Sequence, residues 1–368
     1  MATLELGRDS PYGSLYRDMI ASASRARASD VHIQPEQDGV DIRFRVHGEL
    51  ERWKWIPGVH KTAFLQEAKQ LSHCSLAVAG RAQDARISLP DQKLDVRVNL
   101  VPSLHGEKLV LRLLDQSREF NLDRMGLPAG STQAIRRALD HRTGVNLITG
   151  PTGSGKTTLL YAALAAIDRS RLNIVTIEDP VEYTFPGITQ VQVSSKLAFS
   201  DALRAMLRQD PDVILLGEVR DSVTAELCFQ AASTGHLVLS TLHANNASEV
   251  KRRLTGMGVR DDLMDSCLRF SSAQRLVPRL CSECRLPLSD EDLKRGVALV
   301  GEAALLRRRN PSGCNKCVKG VTSRLPVFEF IDWERETEGG SRSPDLREAA
   351  LEFARQGEVD VFDALQVE

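Results

Sequence analysis

The sequence predicts an α/β protein in which a small N-terminal α/β subdomain is joined by a hinge to a P-loop domain that carries a tetracysteine zinc module. Three observations predict this class. Gly150-Pro151-Thr152-Gly153-Ser154-Gly155-Lys156-Thr157 has the spacing G-x-x-x-x-G-K-T, with a strand-like run at 145–149 before it and a helix-like run at 158–164 after it. Short apolar runs at 173–177, 213–216 and 237–242 alternate with helical stretches, the pattern of a parallel sheet covered on both faces. Cys281-x-x-Cys284 and Cys314-x-x-Cys317 form a paired C-x₂-C motif.

The 368 residues suffice for two or three domains with real cores. A net charge of −1 with 26% charged residues is an ordinary water-facing surface and does not suit a nucleic-acid polyelectrolyte. No apolar run approaches the roughly 18 residues a membrane span needs. The first residues lack the basic-then-apolar pattern of a signal peptide. A cytoplasmic location is therefore expected, where seven cysteines favour metal or free thiols over disulfides. Cys74, Cys228 and Cys267 stand alone and read as small buried apolar residues.

Residues 1–12 read as a loose lead and 14–28 as a helix with Leu15, Met19, Ile20 and Ala23 on one side. Val40, Ile42, Phe44 and Val46 alternate with polar residues, as do Leu94, Val96, Val98 and Leu100, so both stretches read as half-exposed strands. The subdomain is expected to span 1–114, the hinge 115–128 with Gly126 and Pro128, the P-loop domain 129–280 and the tetracysteine module 281–331. Residues 332–368 read as a mobile stretch at 334–343 followed by a C-terminal helix from about 344.

Ligand chemistry in an open parallel sheet gathers at the carboxyl ends of the strands. The backbone N–H groups of the Gly150–Thr157 loop and of Thr158 are expected to cradle phosphates, with Lys156 on the terminal phosphates and the Thr157 hydroxyl on Mg²⁺. Glu178, Asp179 and Glu182 crowd one strand tip, and carboxylates so placed are eased by a cation such as Mg²⁺. The apolar run 213–216 leads into Gly217-Glu218, a Walker B geometry. Glu218 is thus a candidate for Mg²⁺ contact through water, for polarising the attacking water, or for both. Glu178 competes for the base, and an ion pair from Glu218 to Arg220 is the structural alternative. His243 falls at a strand's carboxyl end and is a candidate phosphate sensor, whereas His236, at the other end, reads as structural.

Residues 199–208 read as a helix capped by Ser200, with Arg204 and Arg208 on one face. Arg86 and Arg97 lie on polar strands of the subdomain. Each of these four arginines is either a surface charge or an arginine finger, a device worth on the order of 10³–10⁵ in rate. The four motif cysteines, Cys281, Cys284, Cys314 and Cys317, offer four thiolates at tetrahedral reach for a closed structural Zn²⁺ site.

Together these motifs resemble the secretion and pilus-motor ATPases of type II secretion and type IV pilus systems. The likeness runs from about residue 30 to 330. Residues 29–35 and 44–48 resemble that family's N-terminal ATPase subdomain, 150–157 its Walker A, 178–182 its aspartate box, 217–221 its Walker B and 234–245, followed by Gln274-Arg275-Leu276, its histidine box. The resemblance implies a RecA-like P-loop domain, ATP and Mg²⁺ as ligands, and a homohexameric ring with ATP between the small domain and the RecA-like domain. It also implies that Arg86, Arg97, Arg204 and Arg208 surround the phosphates, and that domain closure is passed to an inner-membrane platform protein. Assembly and secretion members usually carry a further N-terminal domain, and this chain begins close to the ATPase subdomain. Retraction members share the short length and usually lack the four cysteines, so the cysteines favour assembly or secretion. Residues 320–326 depart from the family's usual glycine- and tyrosine-bearing stretch.

The expected protein is a cytoplasmic Mg-ATPase motor for pilus assembly or type II-like secretion, peripheral to the inner membrane through its partners. A pilus retraction motor is the second enzyme reading. A nucleic-acid translocase on the same core is the reading from a different class, and the charge balance disfavours direct nucleic-acid contact.

Overall fold

A computed structural model of the chain describes residues 10–300, 305–336 and 342–367. The chain divides into two compact units, Met1–Glu119 and Phe120–Glu368. Among the described residues no helix is long and apolar enough to cross a membrane.

The first unit runs α1 (Pro11–Arg25), β1 (Asp30–Glu36), β2 (Gly39–Val46), β3 (Glu49–Pro57), α2 (Gly58–Leu71), β4 (Gln83–Leu89), β5 (Leu94–Ser103) and β6 (Gly106–Asp115). Its antiparallel sheet has the order β3-β2-β1-β6-β5-β4. The period-two pattern read from the sequence has its usual consequence. Val31, Ile33, Ile42, Val96, Val98, Leu109 and Leu111 are buried, and the intervening residues form a polar face. Register aligns Arg86 with Arg97, Arg97 with Arg112, Arg112 with Asp30, and Asp30 with Arg45, a single row across five strands. Like charges directly opposite are unfavourable. Asp95 pairs with Arg86 at 2.6 Å and Asp30 with Arg112 at 3.1 Å, which offsets the repulsion.

The second unit runs α3 (Ser131–Asp140), β7 (Gly144–Thr149), α4 (Lys156–Ala166), β8 (Ile174–Glu178), β9 (Thr189–Gln192), α5 (Phe199–Met206), β10 (Val213–Val219), α6 (Ser222–Ser233), β11 (Leu237–Leu242), α7 (Glu249–Gly256), α8 (Asp261–Cys267) and β12 (Leu268–Leu280). It continues through β13 (Leu286–Pro287), α9 (Asp290–Val300), β14 (Arg307–Arg308), β15 (Val321–Asp332), α10 (Trp333–Glu336), α11 (Leu346–Arg355) and α12 (Val361–Leu365). The main sheet has the order β15-β12-β7-β11-β10-β8-β9, parallel except where β15 pairs antiparallel with β12. Alternate strand residues feed two cores. Ile148, Ile174, Val213, Leu215 and Leu239 meet α3 and α4, whereas Val145, Leu147, Val175, Ile177 and Val238 meet the core that holds residues of α5, α6, α7 and α8. Burial on both faces explains why these strands read as continuous apolar runs.

Several boundaries differ from the sequence reading. The stretch 115–128 is not a wholly polar hinge. Phe120, Leu122, Met125 and Leu127 pack into the α3–α4 core, and their spacing between polar residues masks them in a composition reading. Residues 321–331 belong to strand β15 and not to a separate cysteine module, because Val327, Phe328, Phe330 and Ile331 gain burial against the sheet. Beyond it, α10 occupies part of the stretch read as mobile, and 337–341 lie outside the described residues. Two short helices, α11 and α12, replace the single terminal helix. Of the N-terminal lead, 1–9 lie outside the described residues, and α1 begins at Pro11 with Ser10 as its cap.

Candidate functional site

The loop from 150 to 155 joins the carboxyl end of β7 to the first turn of α4. Gly150, Gly153 and Gly155 have φ values of 142°, 79° and 91°, conformations that side chains resist. No side chain caps α4, whose N-cap is Gly155, so its first N–H groups stay available to an anion. Pro151 supplies no N–H, and its part is to shape the loop. Lys156 Nζ folds back to donate to the Gly150 and Pro151 carbonyls at 2.7 and 2.9 Å. Burial holds its pKa below the ordinary lysine value, and the nearby charge of Glu218 acts in the opposite direction. A cleft of about 500 Å³ opens beside the loop, lined by Gly150, Pro151, His243, Asn245, Arg252 and Arg275 among others. Concavity, free amides and a lysine are the chemistry of a phosphate site, so the residues present fit a nucleotide phosphate chain.

Glu218 lies near the carboxyl end of β10. The β10–β11 register shifts between Leu216 and Val219, and such irregularities re-aim side chains. Its Oε1 lies 2.7 Å from His243 Nε2, just past β11, and its Oε2 accepts from Arg220 Nε at 2.8 Å. Arg220 also reaches Asp179 at 3.7 Å, so it stands between the two carboxylates. Both Glu218 oxygens are thus engaged, yet each keeps a further lone pair. Such a carboxylate could meet a Mg²⁺ ion through its water shell, and the exposed Thr157 hydroxyl on the first turn of α4 is an oxygen that could hold the ion. Asp221, next in the chain, caps α6 by accepting from Thr224 N at 2.8 Å.

Glu178 behaves differently from the sequence expectation. It is 4% exposed, and its carboxylate accepts from Tyr161, from Thr176 at 2.7 Å and from Gln190 at 3.2 Å. Tyr161 sits one turn beyond Thr157 on α4. Burial, and then the Glu178 charge, push its phenol far above the ordinary range, so it remains a donor. Phe120, Tyr161, Tyr183 and Phe185 pack as one ring cluster, with the Tyr161 ring centroid 5.3 Å from Phe120, 5.7 Å from Tyr183 and 5.2 Å from Phe185. The crowding of carboxylates at this strand tip is relieved by hydroxyl, amide and guanidinium partners on separate sides. The sequence reading missed Tyr161 and Gln190, and the only signal was the four-residue step from Thr157 to Tyr161.

The structure does not bring every candidate together. Arg204 pairs with Asp201 on its own helix at 3.5 Å, and α5 packs on the sheet face opposite α4. Arg208 lies past the end of α5, so the two arginines do not share a helical face. Helix α5 starts at Phe199 after an extended Ala198, and Ser200 is inside it and not its cap. Arg86 and Arg97 belong to the first unit, on the row described above. His236 Nδ1 lies 2.8 Å from the Ala231 carbonyl at the end of α6, away from the phosphate loop.

The four motif cysteines do converge. Their Sγ atoms all lie within 4.8 Å of one another, with Cys281–Cys314 at 3.8 Å and Cys284–Cys317 and Cys314–Cys317 at 3.6 Å. A tetrahedron with Zn–S bonds of about 2.3 Å has edges of about 3.8 Å, so the donor set fits Zn²⁺. Cys281 follows β12, Cys314 and Cys317 precede β15, and Leu280 pairs with Val321. The cluster therefore ties together the end of the β12–β15 pair from which the intervening segment leaves. By strand rise it stands roughly 20 Å from the phosphate loop, too far to take part in chemistry there.

A sequence model of the family described as "Type II/IV secretion system protein" matches residues 5–364. The chain is 42% identical over 341 residues to the "Type II secretion system protein HxcR" of Pseudomonas aeruginosa, covering 90% of this chain and 69% of that protein. It is 36% identical over 359 residues to the "Type IV pilus assembly ATPase PilB" of Myxococcus xanthus, covering 93% of this chain and 63% of that protein. The chain thus spans about two thirds of the length of these relatives. The X-ray structure of the Legionella pneumophila ATPase DotB shares the fold, with a TM-score of 0.74 at 22% identity over 98% of this chain and 96% of that one.

Proposed function

Since the chain belongs to the type II/IV secretion system protein family and is an ATPase, we propose that it is a cytoplasmic Mg-ATPase motor that powers type II-like secretion or type IV pilus assembly. In this reading it works as a homohexamer at the inner-membrane face, through a membrane platform protein. The observation that carries the reading is the joining, in one unit, of the glycine-shaped loop with Lys156 to the Glu218–His243–Arg220 cluster at the adjacent strand ends.

Loop amides and Lys156 bind the phosphates, and Lys156 exchanges two loop carbonyls for phosphate oxygens. Mg²⁺, when bound, neutralises charge on the transferring phosphoryl group. Glu218 orients the attacking water and takes its proton, while Arg220 and His243 fix the carboxylate's direction. Arg86, Arg97, Arg204 and Arg208 remain candidates for cations that reach the phosphates from a neighbouring subunit of the ring.

The test is a gene deletion complemented by the parent or by Lys156→Ala, scored by electron microscopy of surface pili and by the secreted protein profile. Loss of pili or secretion, restored only by the parent, supports the motor of assembly or export. Excess pili would assign retraction instead. Stimulation of ATP hydrolysis by DNA would favour the translocase.

Zn²⁺ in the cysteine cluster is a structural part of this proposal. Its removal by a chelator is expected to lower the melting temperature and to loosen the α11–α12 region that packs on the β12–β15 pair. Structural zinc contributes an apparent ~10–16 kcal/mol in small modules. Metal analysis showing no zinc, or an unchanged melt after chelation, would remove the metal from the account.

A further inference from the structure

A phosphate loop whose N–H groups converge on one side must turn carbonyls to the other. Any of those carbonyls that is buried is costly when left unpaired. The Ser154 carbonyl is such a group, and it is met by Gln274 Nε2 at 2.8 Å. Gln274 is 1% exposed and comes from β12, the strand beside β7. Register explains its place. Ala273 lies opposite Thr149, so the next residue runs alongside Gly150. Two loop glycines abut it. A Cβ on Gly155 would lie 2.5 Å from Gln274 Nε2, and one on Gly150 would lie 2.5 Å from the Gln274 carbonyl oxygen.

We propose that Gln274 is a positioning residue for nucleotide binding: its side-chain amide holds the Ser154 carbonyl behind the loop and so presets the loop's N–H groups for the phosphate chain of a nucleoside di- or triphosphate. The carbonyl is an acceptor only, so the NH₂ end of the amide must face it. Gly150 and Gly155 thereby have a second duty besides their backbone angles, since they leave room for this strand to approach. The proposal rests on reading the loop as the nucleotide phosphate site.

The test compares the parent, Gln274→Met and Gln274→Glu in the full chain, with Lys156→Ala as control. MgADP affinity is measured by titration, ATP turnover as kcat and KM, and melting without nucleotide. Methionine keeps the volume and removes the donor, whereas glutamate turns an acceptor toward the carbonyl. Both are expected to weaken MgADP roughly tenfold and to raise KM more than they lower kcat, because the loss falls on preorganisation before chemistry. A role confined to packing would lower the melting temperature and leave the affinity of the folded protein unchanged. Parental MgADP affinity in Gln274→Met therefore overturns the proposal, and if that variant does not fold, Gln274→Glu decides on the same readout. Failure of the phosphate-site reading looks different: the parent would not bind MgADP, or Lys156→Ala would bind it as tightly as the parent.

Discussion

Lys156→Ala will lose ATP turnover and most of its affinity for nucleotide, while the melting temperature without nucleotide stays close to that of the parent. The asymmetry follows from what the lysine touches. Its ammonium donates to the Gly150 and Pro151 carbonyls at the loop rim, so removing it leaves the apolar core of α4 intact. Its contribution to phosphate chemistry is larger. It supplies a preorganised positive charge where negative charge gathers, and loss of one such donor costs on the order of 10²–10³ in kcat. Phosphate release at saturating MgATP measures the first effect and titration with MgADP the second. A variant that turned over at the parental rate would remove the loop from the catalytic account.

Glu218→Gln will bind MgATP much as the parent does and hydrolyse it slower by roughly 10²–10⁴, the usual contribution of a positioned general base. The amide keeps the carboxylate's shape but cannot take a proton, and it leaves one acceptor oxygen where Arg220 and His243 each engage their own. Glu178→Gln offers the sharpest contrast. Its carboxylate is already used by Tyr161, Thr176 and Gln190. The amide oxygen can still accept from Thr176 and Gln190, which share one carboxylate oxygen, but its NH₂ then faces Tyr161, whose hydroxyl must accept and loses the acceptor for its own proton, so a buried mismatch of about 1–3 kcal/mol is expected in stability. The prediction is a lower melting temperature for Glu178→Gln with turnover reduced less than in Glu218→Gln. The opposite order, with an unchanged melt for Glu178→Gln, would transfer the base to Glu178.

The phosphate loop was legible in the sequence because its geometry is local. Glycines at 150, 153 and 155 set the backbone, and the preceding strand and following helix are contiguous with it. The cysteine cluster was legible for a related reason, since each C-x₂-C pair brings two thiolates together before any tertiary contact forms. Strand ends were legible because apolar runs stop where acids begin, at Glu178 and Glu218. The partners of those acids were not. His243 reaches Glu218 because β11 lies beside β10, and Gln274 reaches Ser154 because β12 lies beside β7. Strand order and register are set by how crossover helices pack on a finished sheet, and no single segment carries that information. The same reason hid β15, whose pairing with β12 bridges the whole cysteine-bearing excursion. It also hid the burial of Glu178, which depends on Tyr161 and Gln190 arriving from α4 and β9. Residue chemistry and local backbone geometry thus fixed the ligand class, and the packing of distant segments decided which carboxylate faces the phosphate loop and which is held inside the fold.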